Sequence, residues 1–208
     1  TIKSKTTSRM TRTYTECVAE NTRRAERIIS ALDLQGLWCS IGAEIHQVGS
    51  MRMGLLAKHR DLDFHIYSDA IDIRSDFEVM GRLAALPGIL RIEYGNLLNT
   101  DEACVEWHAW YRDAEDDDSE AWQIDMIHIR RGSRYDGYFE KVADHIAAAL
   151  NDEQREAILQ LKFETPNELK IMGIEYYQAV IRDGVRTWDE FAAWRQAHPV
   201  EGVVEWMP

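Results

Sequence analysis

The stretch VGSMRMGLLAKHRDLDFHIYSD, residues 48–69, sets a glycine-serine pair, a short bridge and then two aspartates one residue apart in an apolar run. From Asp61 onward the pattern alternates as a strand does: Leu62, Phe64 and Ile66 fall on one side, Asp61, Asp63 and His65 on the other. Two neighbouring carboxylates turned into an apolar core would each cost several kcal/mol of desolvation. Their side of the strand must therefore meet solvent or share a cation, and a strand holds hard oxygen ligands at fixed spacing better than a loop does. Gly49 permits a sharp turn after a strand ending near Val48, and Ser50 then opens a short helix whose N–H groups face an anion. Arg52 adds a positive charge to the same turn.

Two further alternating runs lie downstream. In residues 103–111, Val105, Trp107, Ala109 and Tyr111 oppose Glu106, His108 and Trp110; in 121–129, Trp122, Ile124, Met126 and His128 oppose Gln123, Asp125, Ile127 and Ile129. The acidic RDAEDDDSE between them suits a hairpin turn, with Asp116, Asp117 and Asp118 read as a solvated loop rather than a metal site. Asp125 would supply a third carboxylate from a neighbouring strand. Three carboxylates around one or two Mg2+ ions are the usual apparatus of phosphoryl chemistry.

Capping boxes at Thr13/Glu16, Ser75/Glu78, Thr165/Glu168 and Thr187/Glu190, with a weaker one at Asn151/Gln154, mark helix starts. Leu86-Pro87-Gly88, Asp183-Gly184 and His198-Pro199 mark stops. The polar RRGSRYDG, 130–137, is the best boundary, and everything after it reads helical; in 166–183 Leu169, Met172, Tyr176 and Val180 recur at helical spacing. The order helix, strand, helix, strand, helix, strand hairpin, helical bundle predicts an α+β fold. A small mixed sheet with helices on one face and the other face open would occupy 1–134, and a helical domain 135–208.

The chain has 208 residues, 45% hydrophobic and 29% charged, with a formal net charge of −12. That charge argues against broad binding of long nucleic acid, although Lys3, Lys5, Arg9, Arg12, Arg23, Arg24 and Arg27 make the first thirty residues basic; a solvated tail and polar helix face are the expectation for them. No apolar run is long enough for a membrane span, and no apolar core follows the basic start, so a cytoplasmic protein is expected. Cys17, Cys39 and Cys104 form no C-x-x-C pair and read as buried free thiols. The seven tryptophans read mainly as core or interface residues, and His46, His128 and His145 fall in no usable pattern.

Gly49-Ser50-Met51-Arg52-Met53-Gly54, followed by Asp61-Leu62-Asp63 in an apolar strand and a third acid, Asp125, in WQIDMIHI, resembles the signature of the polymerase β-like nucleotidyltransferase superfamily. The resemblance runs from residue 11 to 130 in order of elements and rests on about twenty residues in detail. It implies that Asp61 and Asp63 ligate Mg2+, with Mn2+ as a substitute, and that Asp125 completes a two-metal site and helps deprotonate an acceptor hydroxyl.

 The resemblance also implies that Gly49 and Ser50 hold the β- and γ-phosphates of a nucleoside triphosphate such as ATP; by charge and place in the sequence, Arg52 and Lys170 are read as further nucleotide contacts. The reaction implied is transfer of a nucleoside monophosphate to a hydroxyl acceptor with release of pyrophosphate.

His65, His108, Glu106 and Arg60 are outer candidates around that site. Arg60 stands where the family commonly has a small residue, and Leu55 where it often has threonine; Arg60 should point away from Asp61 on an alternating strand. Tyr176 and Tyr177 could also meet a nucleotide, but Tyr176 lies in the apolar stripe and Lys170 is the better choice. The expected acceptor is a small hydroxylated molecule, although a protein side chain or another nucleotide would also fit. Two rival readings are a nucleotide-binding or regulatory protein that kept this fold without turnover, and a metal hydrolase using Asp61, Asp63, His65 and His108.

Overall fold

The computed structural model describes residues 13–116 and 120–208. The basic residues Lys3, Lys5, Arg9 and Arg12, and the loop acids Asp117 and Asp118, lie outside the described residues. Helix α1 (Tyr14–Leu32) starts at the expected box, where the Thr13 hydroxyl accepts from the Glu16 N–H and the Glu16 carboxylate accepts from the Thr13 N–H. A second, short helix, α2 (Leu34–Cys39), follows directly. Strand β1 (Glu44–Gln47) leads into the one-turn helix α3 (Gly49–Arg52), and strand β2 (Asp61–Ser68) carries the Asp-Leu-Asp motif. Helix α4 (Ile73–Ala84) precedes strands β3 (Ile89–Asn96), β4 (Cys104–Tyr111) and β5 (Trp122–Arg130).

The five strands form one mixed sheet in the order β1-β2-β5-β4-β3. Only β2 and β5 run parallel; the β4–β5 hairpin is the one anticipated from RDAEDDDSE. The first large core lies under this sheet, where Leu62, Ile66, Trp107, Trp122, Ile124 and Met126 meet Ile28, Trp38 and Leu83 from the helices. Removing those side chains from water is the main force that fixes strand register, because a one-residue slip would turn every one of them outward.

The C-terminal part contains α5 (Tyr138–Ala149), α6 (Asp152–Glu164), the short α7 (Gly173–Tyr177) running into a π-helical turn at Gln178–Arg182, and α8 (Trp188–Ala197). Its own core includes Ile146, Ile158, Leu161, Tyr176 and Phe191. Contacts cross the 134/135 boundary: Met53, Leu55 and Ala57 of the bridge are buried in this second core, and Tyr14 stacks on Phe163. No helix among the described residues is long and apolar enough to cross a membrane.

Five local expectations are corrected. Of the three thiols only Cys104 is buried; Cys17 is half-buried and Cys39 is exposed at the end of the short α2. Helix α4 is capped by Asp72, which accepts from the Arg74 N–H, and not by a Ser75/Glu78 box. Thr165 closes α6 instead of opening a helix: its hydroxyl donates back to the Leu161 carbonyl and pairs with Tyr176. Residues 166–172 are consequently not helical, and Leu169 and Met172 are exposed rather than part of a buried stripe. Asp116 is no solvated loop residue, because Arg24, Arg27, Arg60 and the Trp122 indole all converge on its carboxylate.

Candidate active site

Register places the acids. On the parallel pair β2–β5, Asp63 lies opposite Asp125 and Asp61 opposite Gln123, all on the sheet face away from the first core. Asp61, Asp63 and Asp125 line one cleft of about 460 Å³ together with Gly49 and Ser50. The opposite wall is apolar and comes from the C-terminal part, through Phe139, Val142, Ile146, Ile171, Ile174 and Tyr177. The surroundings of Asp61 and Asp63 resist ionisation. Burial, with Asp125 and Asp61 nearby, pushes the Asp63 carboxyl up to about 7. Asp61 is raised too, mainly by burial, with His59 pulling the other way.

The Gly-Ser turn is shaped around Asp63. Gly49 has φ +68°, and a Cβ there would sit 1.9 Å from Asp63 Oδ2. The Ser50 backbone N–H donates to that same carboxylate, so the turn grips the second aspartate directly. Gly49→Ala is therefore expected to cost about 2 kcal/mol through the left-handed backbone and the overlap, lowering Tm by roughly 4–8 °C. Thermal melting checks this, and an unchanged Tm would mean that the turn relaxes freely.

Asp125 is oriented by two neighbours. His108 Nδ1 lies 2.6 Å from Asp125 Oδ1, and Gln123 Nε2 donates to both oxygens at 2.9 and 3.2 Å. The hydrogen bond to Asp125 raises the His108 pKa against the opposing effect of burial. A carboxylate has about four lone-pair directions, so these bonds leave Asp125 able to accept more. Among the described residues no three His, Cys, Asp or Glu side chains stand together as a ready metal cage. The donor set nevertheless suits a hard divalent cation: three carboxylates in one cleft wall, one of them raised by burial and by the other two.

The remaining sequence-derived residues divide. Arg52 is not directed at the cleft; it makes a two-pronged ion pair with Asp144 at 2.8 and 2.9 Å and donates to the Gln47 carbonyl. Lys170 is exposed. His65 lines the cleft, packs edge-on against Phe139 and is lowered by burial to about 4. Glu106 lines a smaller neighbouring cavity with His65 and Phe139. Arg60 points to the other side, as alternation required, toward Asp116, the Glu120 carbonyl and the Trp122 ring.

Lys162 was not anticipated. It is buried on α6, and its ammonium donates to the Ser50 hydroxyl at 2.9 Å, the Leu55 carbonyl at 3.2 Å and the Tyr177 hydroxyl at 3.2 Å. A signal existed in the sequence. Lys162 follows Ile158 by four residues and Leu161 by one, so it interrupts the apolar stripe of its helix. Buried lysines are rare without a partner or a task.

No protein-family model matches this chain, and no curated protein does. Solved structures do. Cid1 poly(U) polymerase with MgGTP bound superposes with a TM-score of 0.55 at 15% identity, over 77% of this chain and 49% of that one. The GLD-2/RNP-8 complex gives 0.54 at 11% identity, over 78% and 58%. A cytoplasmic RNA terminal U-transferase gives 0.52 at 15% identity, over 80% and 53%. The chain thus spans about half the length of the structures it matches. That likeness is one of fold: the chain has the polymerase β-like nucleotidyltransferase fold.

Proposed function

We propose that this protein transfers a nucleoside monophosphate from a nucleoside triphosphate to a hydroxyl acceptor and releases pyrophosphate. The observation that carries this reading is the convergence of Asp61, Asp63 and Asp125 on one cleft beside the Gly49-Ser50 turn. Asp61, Asp63 and Asp125 would hold Mg2+, in a two-ion arrangement, with Mn2+ as a substitute. When bound, the ions polarise the α-phosphate and offset the charge that gathers on pyrophosphate.

The chain's own groups do the rest. Lys162 and the Ser50 hydroxyl, already joined at 2.9 Å, receive phosphate oxygens. The apolar wall of Phe139, Val142, Ile146 and Ile174 takes the nucleoside and keeps water out. Asp125, held in place by His108 and Gln123, accepts the proton of the acceptor hydroxyl as its oxygen bonds to the α-phosphorus. The bond from that phosphorus to the bridging oxygen breaks, and the electron pair leaves with pyrophosphate.

The acceptor enters from a second cavity of about 370 Å³, which shares Asp61 with the first and is lined by Lys58, His59, Arg60 and Trp110. Its lining sets Lys58 and Arg60 beside Asp61 and Glu120, so it is mixed in charge, whereas the net charge of −12 favoured a small acceptor and argued against long nucleic acid. The RNA terminal U-transferase among the matched structures supports the 3′-hydroxyl of an RNA as acceptor. Incubation with α-labelled ATP, GTP, CTP and UTP, Mg2+, an RNA oligonucleotide and a panel of small hydroxylated molecules tests this. We expect label on RNA with a free 3′-hydroxyl, none on 3′-blocked RNA, and none after EDTA. Label on a small molecule alone would return the acceptor to that class. Nucleotide binding without transfer to any acceptor would favour the inactive, regulatory reading.

A further inference from the structure

The sheet has two edges of different character. Strand β1 is four residues long, and its Glu44 is occupied by Arg131. Strand β3, at the other edge, is eight residues long. Beside it stand Phe77, Leu90 and Tyr94, which are 50%, 50% and 41% exposed. Phe77 and Tyr94 touch each other with ring centroids 5.0 Å apart, and both rest on the buried Trp107. A long edge strand with exposed aromatic neighbours is a template for pairing with another strand.

The charges on β3 select the partner. Arg91 and Glu93 project on the same face of the sheet, 3.3 Å apart, and both are more than half exposed. Consider two copies of β3 paired antiparallel about a two-fold axis perpendicular to the sheet. Directly opposed residues must then lie on the same face, so the axis passes through a residue. An axis through position 91 or 93 sets like charges against each other. An axis through Ile92 sets Arg91 of each copy against Glu93 of the other, within the regular stretch that follows the bulge between Ile89 and Arg91.

We propose that this chain forms a two-fold dimer in which β3 pairs antiparallel with β3 of a second copy, centred on Ile92. The two five-stranded sheets run on as one, and the candidate active clefts open on the same side of it. The exposed aromatic pair of each copy is covered at the junction. None of this depends on the nucleotidyl-transfer reading.

Charge exchange tests the register. Sedimentation velocity of the whole chain, from micromolar to hundreds of micromolar, should show a monomer–dimer equilibrium. Arg91→Glu alone or Glu93→Arg alone sets like charges across both symmetric contacts and should weaken dimerisation by about tenfold or more. Mixing the two single variants makes every cross-strand contact attractive again, so a heterodimer should form. The double variant in one chain should recover the homodimer. Melting curves matching the parent's would confirm that the variants fold. A chain monomeric throughout, or a dimer unaffected by the single exchanges, would overturn the proposal.

Discussion

Asp63→Asn should reduce Mg2+-dependent nucleotidyl transfer by about a thousandfold or more while leaving the protein folded. Asparagine keeps the shape, and its carbonyl oxygen still accepts the Ser50 N–H that Asp63 accepts now. It loses the negative charge needed to hold a divalent cation. The same substitution should alter stability in the opposite direction. Burial and the neighbouring Asp125 and Asp61 raise the folded pKa of Asp63 from 3.8 to about 7. Between those values the folded chain binds more protons than the unfolded one, so stability falls as pH rises from about 4 through about 7. The asparagine variant lacks that loss and should melt higher than the parent at pH 8 in EDTA, with the gap closing near pH 4. Added Mg2+ should raise the parent's Tm and not the variant's. Transfer within tenfold of the parent would remove Asp63 from the reaction.

Much of this arrangement is legible before any coordinates. Strands β2, β4 and β5 alternate because one face is buried, and alternation with a strong apolar face survives in sequence. Thr13/Glu16, Asn151/Gln154 and Thr187/Glu190 all cap helices, because each box satisfies backbone donors locally and needs no tertiary partner. What escapes the sequence depends on distant partners. Strand β3 lies at the sheet edge and does not alternate in burial, so ILRIEYGN shows no strand period, and the reading places no strand there. Thr165 and Glu168 have the letters of a capping box, but the Thr165 hydroxyl bonds back to its own helix. Arg52 stands beside the Gly-Ser turn in sequence and is drawn off by Asp144, ninety-two residues away. Lys162 reaches Ser50 from 112 residues away, and only the packing of α6 on the bridge brings them together.

Asp76→Ala is the substitution expected to damage the fold most, by about 3–5 kcal/mol. Asp76 is completely buried on α4, and His128, on β5, is 1% exposed. Both Asp76 oxygens lie 3.0 Å from His128 Nδ1, and the Trp107 indole N–H donates to the carboxylate at 3.3 Å. Because Nδ1 faces a carboxylate it carries a proton, and Nε2 takes the Ser68 hydroxyl at 2.8 Å. Alanine would leave the imidazole N–H and the indole N–H buried without acceptors, and each orphaned donor costs about 1–3 kcal/mol. The loss should lower Tm by roughly 8–15 °C. Asparagine offers one acceptor oxygen and adds a competing donor, so it should fall between parent and alanine. The network lies on the helix-covered face of the sheet, opposite the cleft aspartates, since His128 and Asp125 are three residues apart on one strand. At a temperature where the alanine variant is still folded, its transfer rate should therefore stay within a few-fold of the parent's. Urea titration beside a transfer assay separates the two effects. A loss of transfer at full foldedness would show that the underside of the sheet sets the position of Asp125, while a stability change below about 1 kcal/mol would mean that water replaces the lost carboxylate in the core.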